Sequence, residues 1–267
     1  MHVARKRFGQ HFLHDPGVIQ RIVGAIDPRP GERVVEIGPG LGAITLPLLA
    51  RLPELHAVEI DRDAIRHLRE ATAGSAGLHL HEADALEFDF ASLDDGRGVR
   101  LVGNLPYNIS TPLLFRLIEQ RERIRDMHFM LQKEVVDRMA AAPDSEHYGR
   151  LTVMLAPWLR VEPLFDIGPG AFRPPPRVTS TFVRLAPHLQ PLQIEQPRCY
   201  ANVVAAAFSQ RRKTLRNALK PLLSQEEIRA AGIDPGARAE TVAATGFAAL
   251  AAQLARKNAQ GPPPVLT

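Results

Sequence analysis

Across the first two-thirds of the chain, short apolar runs alternate with stretches of helical spacing, and this rhythm narrows the fold more than any other feature. Residues 33–38 (RVVEIG), 56–60 (HAVEI), 78–82 (LHLHE), 99–103 (VRLVG) and 127–131 (MHFML) read as strands. Residues 43–51, 63–73, 111–120 and 133–142 read as helices between and after them. Strands that alternate with helices in this way build a mostly parallel sheet, covered by helices on both faces. The expected class is therefore α/β.

The rhythm changes after residue 158. Residues 159–167 and 179–185 read as two strands flanking the loop 172–176 (FRPPP), and such a pair adds an antiparallel edge to the sheet. From Pro187 the composition shifts to Ala, Leu and Arg, with helical periodicity over 199–223, 225–231 and 245–257. The expected domains are thus 1–188 and a small helical domain over 189–267, whose ending GPPPVLT reads as a disordered tail. A pI of about 9.6 tilts the choice of partner towards a polyanion. Cys199 is the single cysteine, so neither an internal disulfide nor a cysteine-based zinc site can form, and no metal is expected. The basic start MHVARKRFGQHFLHD is followed by no apolar stretch. A cytoplasmic, monomeric protein without a membrane segment is the expectation.

Chemistry gathers at the ends of the strands. The first strand runs into Gly38-Pro39-Gly40-Leu41-Gly42, a turn that lets backbone approach a ligand. Its third glycine falls one position early for the dinucleotide pattern G-x-G-x-x-G, which argues against a pyrophosphate. Glu59 ends the second strand, where an acid accepts from ribose hydroxyls; the plainer alternative is a surface charge beside Asp61. Asp84 follows the third strand, where it can accept from an adenine amino group or simply cap a turn. Three such features in order fit a nucleoside cofactor without phosphates, and S-adenosylmethionine has that form. The fourth strand ends in Asn104-Leu105-Pro106-Tyr107. An amide oxygen, a carbonyl aimed by a proline, and an aromatic ring suit an exocyclic amine on a flat base.

Taken together, several segments give the chain a strong likeness to one family. They are RKRFGQHFL (5–13), VVEIGPGLG (34–42), VEIDRD (58–63), EADAL (82–86), GNLPYNIS (103–110), HFMLQKEVVDRM (128–139), YGRLTVM (148–154), FRPPPRVTS (172–180) and FSQRRKTLRN (208–217). In these the chain resembles the ribosomal RNA adenine dimethyltransferases, in particular the bacterial branch that acts on small-subunit (16S) RNA. The resemblance implies a Rossmann-like class I methyltransferase domain with a small all-α domain. It also implies methyl transfer from S-adenosylmethionine to N6 of two adjacent adenosines in a hairpin near the 3′ end of that RNA. Carried over by position, the cofactor contacts are His11, Leu13, Gly38, Glu59, Asp84 and Asn104. His11 departs from the family's asparagine in GQNFL.

In the implied mechanism Asn104 Oδ1 and the Leu105 carbonyl accept the two N6 hydrogens, and Pro106 aims that carbonyl. Tyr107 and Phe172 cover the two faces of the flipped adenine; the plainer reading of Phe172 is a loop aromatic tucked under the prolines. Two basic groups are expected to meet RNA phosphates: Arg5, Lys6 and Arg7 on the amino-terminal arm, and Arg211, Arg212, Lys213 and Arg216 on a helix. Arg121, Arg123 and Arg125, diluted by Glu119 and Glu122, read as a solvated face. Other readings stay open on the residues alone. They are a DNA-adenine or protein-amide methyltransferase with the related Asn-Pro-Pro-Tyr motif, an inactive assembly factor, a nicotinamide dehydrogenase, and a paralogue acting on large-subunit RNA.

Overall fold

The computed structural model describes residues 11–260 other than Gly74, Tyr107 and Arg211. The chain divides into two units. The first holds the described residues of 1–136 together with Arg160–Pro187; the second holds Asp137–Leu159 and the described residues from His188 on. The division differs from the expected one in that residues 137–159 belong with the helical part.

The first unit is built on a seven-stranded sheet. Its strands are β2 (Arg33–Ile37), β3 (Leu55–Glu59), β4 (Leu78–Glu82), β5 (Val99–Asn104), β6 (Ile124–Gln132), β7 (Leu159–Ile167) and β9 (Ser180–Pro187), in the order β4-β3-β2-β5-β6-β9-β7. A separate short ribbon pairs β1 (Phe12–Leu13) with β8 (Phe172–Arg173). From β2 to β6 neighbouring strands are parallel, whereas β6 and β9 run antiparallel, as the proline-separated pair implied. The chain winds outward from β2 through β3 to β4, then crosses back to lay β5 on the other side of β2. That reversal opens a crevice at the carboxyl ends of β2 and β5, where ligands bind in doubly wound sheets.

Helices α1 (Pro16–Ile26), α2 (Thr45–Leu49), α3 (Arg62–Ala71), α4 (Ser110–Glu119) and α5 (Lys133–Met139) connect or flank these strands. Local signals start them. Asp15 caps α1 by accepting from the Val18 N–H at 2.9 Å, with Pro16 in the first turn, and Asp61 caps α3 through the Asp63 N–H at 3.0 Å. Each such cap contributes about 1 kcal/mol. Ile22, Val23, Ile26 and Leu48 join Val34, Val102, Met130 and Phe182 in one apolar cluster. The intervening Val35, Leu101, Phe129 and Val183 point the opposite way and are also buried, so the sheet is covered on both faces.

The second unit is helical: α6 (Arg150–Leu155), α7 (Pro197–Ala207), α8 (Leu215–Ala218), α9 (Gln225–Ala230) and α10 (Ala244–Gln260). Tyr148, Tyr200, Leu215, Leu219, Phe247 and Leu250 form its core. Both tyrosine hydroxyls are satisfied on main-chain carbonyls, Tyr148 on Val242 at 2.8 Å and Tyr200 on Val153 at 2.7 Å. Residues 199–223 are not one helical run. Thr214 is extended and bridges Arg238, which separates α7 from α8. Arg212 and Lys213 therefore lie in a connection rather than on a helix, and Arg216 alone of the described basic group is helical.

Candidate active site

A cavity of about 860 Å³ opens at the carboxyl edge of the sheet, and its wall includes His11, Leu13, Gly38, Glu59, Asp84, Asn104, Leu105 and Pro106. The sheet order sets these in a row. Asp84 follows β4, Glu59 ends β3, Gly38 follows β2 and Asn104 ends β5, on four strands that are neighbours in that order. The edge is stitched by main-chain bonds, Gly38 N–H to the Val58 carbonyl at 2.9 Å and Ala83 N–H to the Glu59 carbonyl at 3.1 Å.

Backbone freedom matters at two places. Gly40 has φ +55°, a left-handed conformation, and its N–H donates to Glu59 Oε2 at 3.2 Å. At Gly103 a Cβ would lie 2.5 Å from the Ile37 carbonyl oxygen, so only glycine lets β5 pass so close to β2 just before Asn104.

Glu59 is almost covered, and Oε1 also accepts from the N–H groups of Ile60 and Asp61, each at 2.9 Å. Burial raises its pKa, and those three N–H groups work against the rise. Asp84 Oδ1 accepts from the Leu86 N–H at 2.9 Å, so the turn-capping reading and the cavity position hold together. Asn104 Nδ2 donates to the His11 carbonyl at 2.9 Å. That bond assigns the amide's two ends and leaves Oδ1 on the opposite side.

Glu36 was missed by the sequence reading. It lies on the cavity wall, 2% exposed, with Oε2 accepting from the Thr45 hydroxyl at 2.6 Å. Burial pushes its pKa up to about 7; the Thr45 bond opposes this and the charge of Glu59 adds to it. The available signal was a carboxylate inside the apolar run RVVEIG, where a strand buried on both faces has no ordinary use for a charge. Three carboxyl groups thus share a wall whose described lining has no lysine or arginine. Such a cavity favours a cation over a phosphate.

Phe172 requires a correction. It is 2% exposed, pairs across the ribbon with Leu13, and sits in the apolar cluster with Ile22 and Phe182 rather than on the cavity wall. Alternation along β8 turns Phe172 inward and Arg173 outward, so its ring presents no face for stacking. Tyr107, Arg5, Lys6, Arg7 and Arg211 lie outside the described residues. Arg212, Lys213 and Arg216 are exposed, but in the second unit. Arg123 and Arg125 pair with Asp94 and Glu32, and Arg121 donates to the Ile118 carbonyl, in keeping with a solvated structural face.

Comparisons with known proteins identify the family. The family described as ribosomal RNA adenine dimethylase matches residues 1–256. A protein of Thiobacillus denitrificans named ribosomal RNA small subunit methyltransferase A is 57% identical, over 96% of this chain and 100% of its own length. One of the same name from Methylococcus capsulatus is 54% identical, over 95% and 98%. Among solved structures, a dimethyladenosine transferase from Plasmodium falciparum superposes with a TM-score of 0.75 at 25% identity, covering 93% of this chain and 98% of that one. The 23S rRNA methyltransferase ErmE gives 0.70 at 26%, covering 91% and 99%. The chain belongs to the ribosomal RNA adenine dimethylase family, whose methyl donor is S-adenosylmethionine.

Proposed function

We propose that this enzyme dimethylates N6 of two adjacent adenosines in a hairpin near the 3′ end of small-subunit ribosomal RNA, giving N6,N6-dimethyladenosine. It acts as a single chain on the small subunit or its precursor, in the cytoplasm. Among the described residues no helix is long and apolar enough to cross a membrane.

The order of residues along the sheet edge supports the assignment of parts. Asp84 accepts from the adenine amino group of the cofactor, Glu59 from its ribose hydroxyls, and Gly38 with Leu13 and Asn104 lines the remainder. His11 stands in the same wall. S-adenosylmethionine supplies a methyl group on a sulfonium, a cation that the carboxylates of this wall suit. The protein's task is then to present a weak nucleophile in line. Asn104 Oδ1 and the Leu105 carbonyl accept the N6 hydrogens of the target adenosine. They hold N6 more strongly as it becomes positive, so their fixed dipoles lower the barrier. Pro106 restricts Leu105 to extended backbone and thereby aims its carbonyl. Tyr107 supplies the stacking face. The exposed Arg212, Lys213 and Arg216, with Arg211 and the arm residues Arg5, Lys6 and Arg7, attract RNA phosphates.

One observation carries this reading: the Asn104 amide is already turned, with Nδ2 engaged and Oδ1 left for a donor. The test is Asn104→Ala, assayed with labelled donor on undermethylated small subunits followed by nucleoside analysis. Loss of one preorganised partner is expected to slow transfer by about 10²–10³-fold, with RNA affinity retained. Dimethyladenosine formed at the parent rate would refute the acceptor role.

A further inference from the structure

The segment that follows the amino-terminal arm is tied to the acceptor amide by an unbroken run of hydrogen bonds. β1 and β8 pair with Phe12 opposite Arg173 and Leu13 opposite Phe172, and the His14 N–H donates to the Ala171 carbonyl at 2.9 Å. His11 extends this ribbon with its ring, whose Nδ1 lies 2.7 Å from the Pro174 carbonyl oxygen. A carbonyl only accepts, so Nδ1 carries the proton, in the neutral ring and in the imidazolium alike. On its main-chain side the same residue accepts the 2.9 Å bond from Asn104 Nδ2.

An asparagine amide has two orientations of nearly equal shape, related by a half-turn, and its hydrogen-bond partners select between them. With Nδ2 on the His11 carbonyl, Oδ1 faces away from it. The reverse orientation sets two acceptors against each other and offers a donor to the N6 hydrogens, which cannot assist transfer. The choice therefore depends on the His11 carbonyl staying where it is. The short strand pair, the His14 bond to Ala171 and the ring contact to Pro174 hold it on that side. Phe12, next in the chain, lies over the glycine turn, its Cε1 3.2 Å from where a Cβ of Gly40 would be.

We propose that His11 is a positioning residue for methyl transfer: its ring clasps the ribbon at Pro174 while its carbonyl keeps the Asn104 amide with Oδ1 towards the cavity. This rests on the reading of Asn104 as the N6 acceptor.

The test compares His11→Ala, His11→Leu and His11→Asn in the full-length protein. An asparagine side chain can donate to the Pro174 carbonyl, whereas leucine offers bulk without a donor. Turnover on undermethylated small subunits is expected to fall roughly tenfold in the Ala and Leu variants, the scale of one neutral hydrogen bond, and to recover in Asn. KM for the subunits should stay at the parent value, as should the thermal midpoint, and any change in donor affinity, read by calorimetry, should be too small to account for the lost turnover. Parent turnover per folded molecule in Ala and Leu would overturn the proposal. So would a loss of donor affinity that accounts for the whole loss of turnover and that Asn fails to restore, since His11 would then be a donor contact only. Asn104→Ala measured alongside separates the two readings. If it is inactive while His11→Ala is unimpaired, the positioning role alone falls; if it is active, the acceptor role falls first.

Discussion

At the amino-terminal edge of the sheet, Arg100 is ringed by partners: Asp126 at 2.9 Å, Glu32 at 2.6 Å and the Ile26 carbonyl at 2.8 Å. At the carboxyl-terminal edge, Glu36 is buried with one hydroxyl, and the charge that bears on it is another carboxylate, Glu59. The two edges belong to the same strands, yet the first matches each buried charge and the second leaves negative charge unmatched. The pKa shifts record the contrast. Burial works against charge at both edges, but Arg100, helped by the Arg29 N–H and Arg125 at Glu32 and by His128 and Arg184 at Asp126, outweighs it, and both carboxyls are held below their usual range. Nothing outweighs it for Glu36, which is pushed up to about 7. The matched edge serves stability. The unmatched edge is poised for a ligand that brings its own positive charge.

Breaking the matched edge should have the largest effect. Arg100→Met leaves Asp126 and Glu32 buried beside an apolar side chain, with the outer Arg184 and Arg125, the His128 ring and the Arg29 N–H still in reach. Removing one partner of a buried pair costs about 3–5 kcal/mol, to be read from urea unfolding. Donor affinity of the folded fraction should not change, because the site lies at the far edge. A loss below about 1 kcal/mol, the level of exposed pairs, would show that the network does not act as a buried one.

The unmatched edge is sharpened by pH. With a folded-state pKa near 7 against an ordinary value of 4.5, Glu36 favours folding of the empty protein at pH below 4.5. That contribution is lost as pH rises through 7, because the folded chain must then hold an unpartnered charge. Donor binding runs in the opposite sense, since the ionised carboxylate attracts the sulfonium and ammonium. Affinity for S-adenosylmethionine should fall about tenfold from pH 8 to pH 6 as Glu36 takes up its proton. The thioether product, which lacks the sulfonium charge, should show a shallower dependence. Glu36→Gln should flatten both curves when titrated by calorimetry. A donor curve in that variant as steep as the parent's would move the titration to another group.

Much of this architecture was readable in the residues. Buried parallel strands need continuous apolar runs, so polar groups at or just past the end of a run stand out; Glu59, Asp84 and Asn104 were singled out in that way, and they line one cavity. Phe172 was not, because its direction is set by pairing with Leu13, far away in the chain, which no local pattern records. The break between α7 and α8 depends likewise on a bridge from Thr214 to Arg238. Glu36 was passed over for a different reason: within RVVEIG it looks like one polar lapse in a strand, and only its neighbours reveal an uncompensated carboxyl facing a cavity. Membership of residues 137–159 in the helical unit follows from contacts such as Tyr148 with Val242, again distant in sequence.

The smallest expected effect tests whether burial, rather than pairing as such, separates the two edges. Arg125 pairs with Glu32 at 2.8 Å, a distance close to the Arg100 contact, but its side chain is 55% exposed against 7% for Arg100. Water screens the outer pair and its side-chain ordering cancels part of the gain, so Arg125→Ala should cost less than about 1 kcal/mol. That small cost should shrink further as salt rises from 50 to 500 mM, roughly the range in which screening drops below 10 Å. The Arg100→Met loss should barely respond to the same salt, since its partners are out of solvent. Equal losses for the two variants, or equal salt responses, would mean that Glu32 rather than buried Arg100 anchors the network.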